Sequence, residues 1–139
     1  MDQWGYDWEA YKVFTNDDYI LTTFHVLGKK GTDRSKSKGS VLLQHGDFQD
    51  GADWVSRFEK GAPFQLQLVD AGYDVWVGSN RGTEYSQGHK KYDAKTSTDY
   101  WMFTWADMGL YDDVSNINTI KRVTGEEKIF YVGYSQGTA

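Results

Sequence analysis

Serine chemistry needs a hydroxyl held on a tight turn, and residues 129–138 offer one. Ile129, Phe130, Tyr131 and Val132 form an apolar, β-prone run that ends at Gly133; Tyr134, Ser135, Gln136 and Gly137 follow. G-x-S-x-G directly after a strand is the pattern of a nucleophile elbow. Its serine sits on a strained strand-to-helix turn, and the glycines leave room for close packing. The N–H of Gln136 would then lie at the start of the helix, facing a developing oxyanion. The competing reading is a glycine-rich turn without chemistry.

A second oxyanion donor is expected from the loop after an earlier strand. Residues 41–44 read as a short apolar strand, and His45, Gly46 and Asp47 follow it. Gly46 lets the backbone turn, and the N–H of Asp47 can face the same site. His45 invites the role of catalytic base. Elbow architectures take that base from a loop far downstream, so a structural imidazole bonded to nearby backbone is the expected role. Arg81, in Asn80-Arg81-Gly82 just past a strand at 73–77, is expected to brace its loop through an ion pair. His25 and His89 read as surface residues without ligand spacing, and no metal site is expected. Asp70 with Asp74, and Asp112 with Asp113, could be drawn as glycosidase carboxylate pairs, but turn and helix-cap roles explain them more simply. The glycines and lysines of residues 28–40 lack phosphate-loop spacing and read as a basic surface loop.

The elements that must position these groups follow from the pattern along the chain. Strands at 11–15 and 19–27, joined at Asn16-Asp17-Asp18, suggest an antiparallel hairpin. Residues 49–61 read as loop or short helices, with Trp54, Val55 and Phe58 packing on one side. Pro63 begins a helix that ends near Gly72. Val114, Ile117, Ile120 and Val123 recur every three residues, as one buried helical face would, with Asp112 or Asp113 as its cap and Gly125 closing it. Strands alternating with helices imply a mostly parallel sheet covered by helices.

Composition narrows the function classes. The chain has 139 residues, about one domain, with 39% hydrophobic and 17% aromatic residues, enough for a core. A net charge of -5 makes nucleic acid a poor partner. There is no cysteine, hence neither disulfide nor thiolate chemistry. No apolar run reaches the roughly 18 residues of a membrane span, and Met1-Asp2-Gln3-Trp4 does not read as a signal peptide.

These residues together resemble the acid lipases, the gastric and lysosomal lipases of the α/β-hydrolase fold. The resemblance rests on Trp4-Gly5-Tyr6, residues 13–21, Leu43-Gln44-His45-Gly46, residues 68–78, Asn80-Arg81-Gly82, Tyr111-Asp112 and residues 131–138, in family order across nearly the whole chain. It implies an α/β fold, the N-terminal part of a single α/β-hydrolase domain over residues 1–139, stopping just after the elbow. It implies Ser135 as nucleophile, with Gln136 and Asp47 as backbone oxyanion donors. The implied activity is hydrolysis of a neutral lipid ester, triacylglycerol or sterol ester, through an acyl-serine intermediate, without a cofactor, in a lysosomal or secreted setting. The lid, the catalytic acid and the catalytic histidine would belong to further chain, so these 139 residues alone are expected to be inactive.

Two positions depart from the family. Asp47 replaces an apolar residue, and Tyr134 stands where the animal enzymes usually carry histidine. A sheet ending at its nucleophile strand exposes that strand's outer edge, so further chain or a protein partner is expected to cover it. The alternative reading is a non-catalytic, lipase-like subunit of a larger assembly.

Overall fold

Strand β1 (Tyr6–Phe14) and strand β2 (Tyr19–Lys29) form the hairpin, turning at Asp18, whose φ of 78° is left-handed. The computed structural model describes residues 1–32, 37–56 and 61–139. Part of the basic loop, residues 33–36, and Phe58 lie outside the described residues. β1 starts at Tyr6, earlier than the expected residue 11. Its extra residues pair as far as Tyr6 with Lys29, across an irregularity between Asp7 and Trp8. An edge strand is held by its partner's backbone and need not show an apolar period, and Trp8, Glu9 and Ala10 are exposed.

Strand β3 (Ser40–Gln44), strand β4 (Asp74–Val77) and strand β6 (Phe130–Gly133) pair in parallel, with β3 in the middle. β2 runs antiparallel to β1, to β4 and to the two-residue strand β5 (Gly88–His89). The sheet is therefore mixed, ordered β1-β2-β4-β3-β6, a partial α/β-hydrolase fold. Its parallel half carries side chains to both faces. Val41, Leu43, Val75 and Val77 pack with Leu66, while Leu42 and Trp76 pack with Ile120. Leu66 belongs to helix α2 (Phe64–Asp70), which begins after Pro63 as expected. The short helix α1 (Asp53–Ser56) precedes it. No helix among the described residues is long and apolar enough to cross a membrane.

The next helical stretch corrects the sequence reading. It starts seven residues before Asp112, as α3 (Trp105–Asp107), where Thr104 and Asp107 form a capping box. It continues through a π-helical segment (Met108–Asp113) into α4 (Val114–Thr124). Asp112 and Asp113 therefore lie inside the helical stretch and cannot cap its start. The buried stripe is also different: Asp112, Asn116 and Ile120 are fully buried, whereas Val114 and Val123 are exposed. Steps of three residues drift around a helix of 3.6 residues per turn, while steps of four stay close to one face. Gly125 does close the helix in the left-handed region.

β6 pairs only with β3 among the described residues, and its Phe130 and Tyr131 are exposed. Chemical denaturation distinguishes the two candidate faces of α4. Ile120→Ala should lose about 2–5 kcal/mol, whereas Val114→Ala should stay within about 1 kcal/mol.

Candidate active site

The register of the parallel strands brings three loops to one edge. Leu43 pairs with both Val77 and Val132, and Gln44 pairs with Gly133. The turns after β3, β4 and β6 therefore leave the sheet side by side at its carboxyl end, where ligands bind in open α/β sheets.

At the end of β6 the chain makes the expected elbow. Ser135 has φ 52°, a left-handed conformation that costs a non-glycine residue on the order of 1–3 kcal/mol. A 3-10 turn (Ser135–Thr138) follows. The flanking glycines are sterically required. A Cβ on Gly133 would lie 2.0 Å from the Gly137 carbonyl oxygen, and one on Gly137 would lie 2.6 Å from the His45 carbonyl oxygen. A Cβ on Gly46 would lie 2.9 Å from the Cβ of Ser135. The elbow and the 45–47 turn thus touch through backbone, and no side chain larger than hydrogen fits at these contacts.

The hydroxyl of Ser135 makes no hydrogen bond among the described residues. The Gln136 N–H lies in the first turn of the 3-10 segment, where donors lack intrahelical acceptors. Asp47 is exposed, and its carboxylate accepts the Phe48 N–H at 3.0 Å. Phe48 itself is fully exposed with φ 55°, a strained position that nothing in the sequence pattern reveals.

His45 has both ring nitrogens engaged. Nδ1–H donates to the Gly46 carbonyl at 2.8 Å, and Nε2 accepts the Asn80 N–H at 3.0 Å. That arrangement requires the neutral ring. Burial pushes the imidazole below its ordinary 6.5, outweighing the Gly46 carbonyl and the nearby Asp50 and Asp53. His45 is thus a strut between the loops after β3 and β4, with no lone pair left for Ser135. Gln44 strengthens the strut by donating to Asn80 Oδ1 at 2.7 Å.

Arg81 braces its loop, as its position suggests, and the structure supplies the partners. It donates from its backbone N and Nε to Asp112, both at 2.8 Å, and from Nη1 and Nη2 to Asp17 at 2.6 and 2.9 Å. Its guanidinium lies 3.8 Å over the Tyr19 ring. Burial opposes ionisation of Asp17, but Arg81 and the Thr15 hydroxyl hold it below its ordinary value. Asp112 is thus an ion-pair partner rather than a cap.

The remaining sequence candidates lie elsewhere. His25 is buried, not at the surface. It stacks 3.8 Å from Trp76 and meets Asp74 at 2.6 Å. Asp70 accepts from Tyr6 at 2.6 Å. Asp70 and Asp74 therefore serve separate tertiary contacts rather than a shared turn. A cleft of about 470 Å³ opens beside the 45–50 turn, lined also by Arg81, Glu84, Trp101, Phe103, Met108 and Gln136.

The mixed sheet and the elbow define the α/β-hydrolase class, and comparison with known proteins narrows it. A family model described as "alpha/beta hydrolase fold" matches residues 39–139, and one described as "Partial alpha/beta-hydrolase lipase region" matches residues 1–58. The gastric triacylglycerol lipase of Bos taurus is 40% identical over 139 residues, covering 99% of this chain and 34% of the lipase. The human lysosomal acid lipase/cholesteryl ester hydrolase is 38% identical over 139 residues, with the same coverage. An esterase from Pyrococcus furiosus superposes with a TM-score of 0.64 at 18% identity, over 98% of this chain and 46% of the esterase, which shows the fold. The chain belongs to the α/β-hydrolase fold family and is homologous to the gastric and lysosomal acid lipases. It spans about a third of the length of these curated relatives.

Arg81→Met should leave Asp112 buried without its countercharge and cost about 3–5 kcal/mol in denaturant unfolding. The unfolded chain protonates His45 more readily than the folded chain does. Its contribution to stability should therefore be complete above about pH 6.5 and decline as pH falls through the lower folded value. A ring-nitrogen NMR titration should find the Nδ1–H tautomer and a midpoint below 6.5.

Proposed function

We propose that residues 1–139 are the N-terminal, nucleophile-bearing portion of a single α/β-hydrolase domain, in a serine ester hydrolase of acid lipase type. Ser135 is the nucleophile, and the N–H groups of Gln136 and Asp47 stabilise the oxyanion. The observation that carries this reading is Ser135 itself, held at φ 52° with its Cβ against Gly46. A strained, exposed serine packed against a second backbone turn is the arrangement that acyl transfer requires.

The substrate class is a neutral lipid ester, triacylglycerol or sterol ester, as the names of the relatives suggest. The cleft supports a neutral ligand. Asp47, Asp50, Asp53 and Glu84 line it, and the one arginine among the described residues that line it is already paired with Asp17 and Asp112. Ser135 attacks the ester carbonyl, the negative charge develops on its oxygen, and the alcohol leaves the acyl-serine, which water then hydrolyses. The general base and its orienting acid come from the rest of the domain, because both nitrogens of His45 are occupied. By homology the complete protein works in a lysosomal or secreted compartment. Remaining chain, including the lid region, covers the open edge of β6.

In the full-length protein, a fluorophosphonate probe should label one site. Ser135→Ala should abolish labelling and lower ester hydrolysis on the order of 10^6-fold. Labelling that persists in that variant, or its absence from folded full-length protein, would refute the assignment. The 139-residue chain alone should not label above background.

A further inference from the structure

The Tyr131 hydroxyl has one hydrogen and faces two acceptors. It lies 2.9 Å from Asp113 Oδ2 and 2.8 Å from the carbonyl oxygen of Gly137. A phenol can donate to only one of them at a time. If Asp113 is ionised, both groups compete for the same hydrogen. If Asp113 is protonated, its O–H can donate to the tyrosine oxygen, and the tyrosine hydrogen is then free for Gly137. Only the second state satisfies every contact in the chain Asp113–Tyr131–Gly137.

The other oxygen of Asp113 points to the same conclusion. Oδ1 is shielded from solvent and has no hydrogen-bond partner among the described residues. An unpartnered, buried oxygen is far costlier on a carboxylate than on a neutral carboxyl. The acceptor at the far end is also significant. Gly137 is the residue wedged against the carbonyl oxygens of Gln44 and His45, and its own carbonyl lies over Gly133. Holding that carbonyl holds the turn that follows Ser135.

We propose that Asp113 and Tyr131 are positioning residues of the elbow, forming a proton-carrying relay that ties the turn after Ser135 to the π-helical segment when Asp113 carries a proton. Its significance for catalysis rests on the reading of Ser135 as nucleophile; the relay itself is measurable without it. The surroundings support the protonated state. Burial pushes the Asp113 carboxyl up to about 6, the Tyr131 hydrogen bond opposes that rise, and the Asp112 charge adds to it. Among the described residues, Tyr131 from β6 and Asp112 from the same helical stretch are the titratable groups that act on it, and Arg81 pairs with Asp112. The other neighbours in the groove are largely apolar, including Leu110, Val114 and Ile117. The sign follows: the elbow is tied down below about pH 6 and loosened above it.

NMR of the full-length protein between pH 4 and 8 tests this. The Asp113 carboxyl carbon should titrate with a midpoint near 6, and the Thr138 amide nitrogen, which senses the Gly137 carbonyl, should move with the same midpoint. Asp113→Asn, whose amide can donate to the tyrosine, should fix the Thr138 signal at its acid position throughout. Tyr131→Phe should remove the Thr138 titration while Asp113 still titrates. A Thr138 signal that stays still while Asp113 titrates would overturn the relay, as would an unchanged Thr138 response in Tyr131→Phe or an Asp113 midpoint near the ordinary 3.8. If a variant fails to fold, the wild-type pair of titrations decides alone. Failure here and failure of Ser135 to label are separate results, because neither measurement depends on the other.

Discussion

A guanidinium that is almost wholly buried survives only if its charge is balanced and its donors are used. Arg81 meets that condition by drawing three distant parts of the chain together: Asp17 from the hairpin turn, Asp112 from the π-helical segment, and its own loop after β4. The Tyr19 ring covers its face. With Arg81 fixed, its neighbour Asn80 is fixed, and Asn80 holds His45 through its backbone and Gln44 through its side chain. The turn that packs against Ser135 is therefore braced, through Asn80, by the Arg81 charge cluster.

Steric exclusion does the rest. Gly46, Gly133 and Gly137 bring three pieces of backbone within contact distance, and no side chain can enter among them. The strained φ of Ser135 is held in place by that packing, which agrees with the general rule that unfavourable backbone persists where its surroundings over-determine it. The His45 strut, the Arg81 ion pairs and the glycine contacts hold these turns against one another, beside a cleft whose described lining carries Asp47, Asp50, Asp53 and Glu84.

Much of this is legible in the sequence because it rests on local rules. Pro63 before α2 and Gly125 after α4 mark helix ends through backbone geometry alone. The hairpin shows in two apolar runs joined by Asn16-Asp17-Asp18. The 3-10 turn Thr98–Trp101 does not show, because its Tyr100 packs against Val13, Tyr19 and Leu21 of the hairpin rather than along a helical face. The three-residue spacing of Val114, Ile117, Ile120 and Val123 misleads for the same reason. The buried face of that helix includes Asp112 and Asn116, polar residues whose partners lie elsewhere in the fold.

The amino-acid sequence by itself determines the elbow: a β-prone run, Gly133, Ser135 and Gly137 dictate a sharp turn wherever the strand is placed. It determines the strands and helix ends through periodicity and through proline and glycine. The tertiary structure alone decides what each polar side chain does. Asp112 becomes an ion-pair partner, His25 a buried ring stacked on Trp76, His45 a neutral strut, and Asp113 one end of a hydrogen-bond relay. The physical reason is that a side chain's charge state and partners depend on groups brought near it from tens of residues away, and on how much water is excluded when they meet.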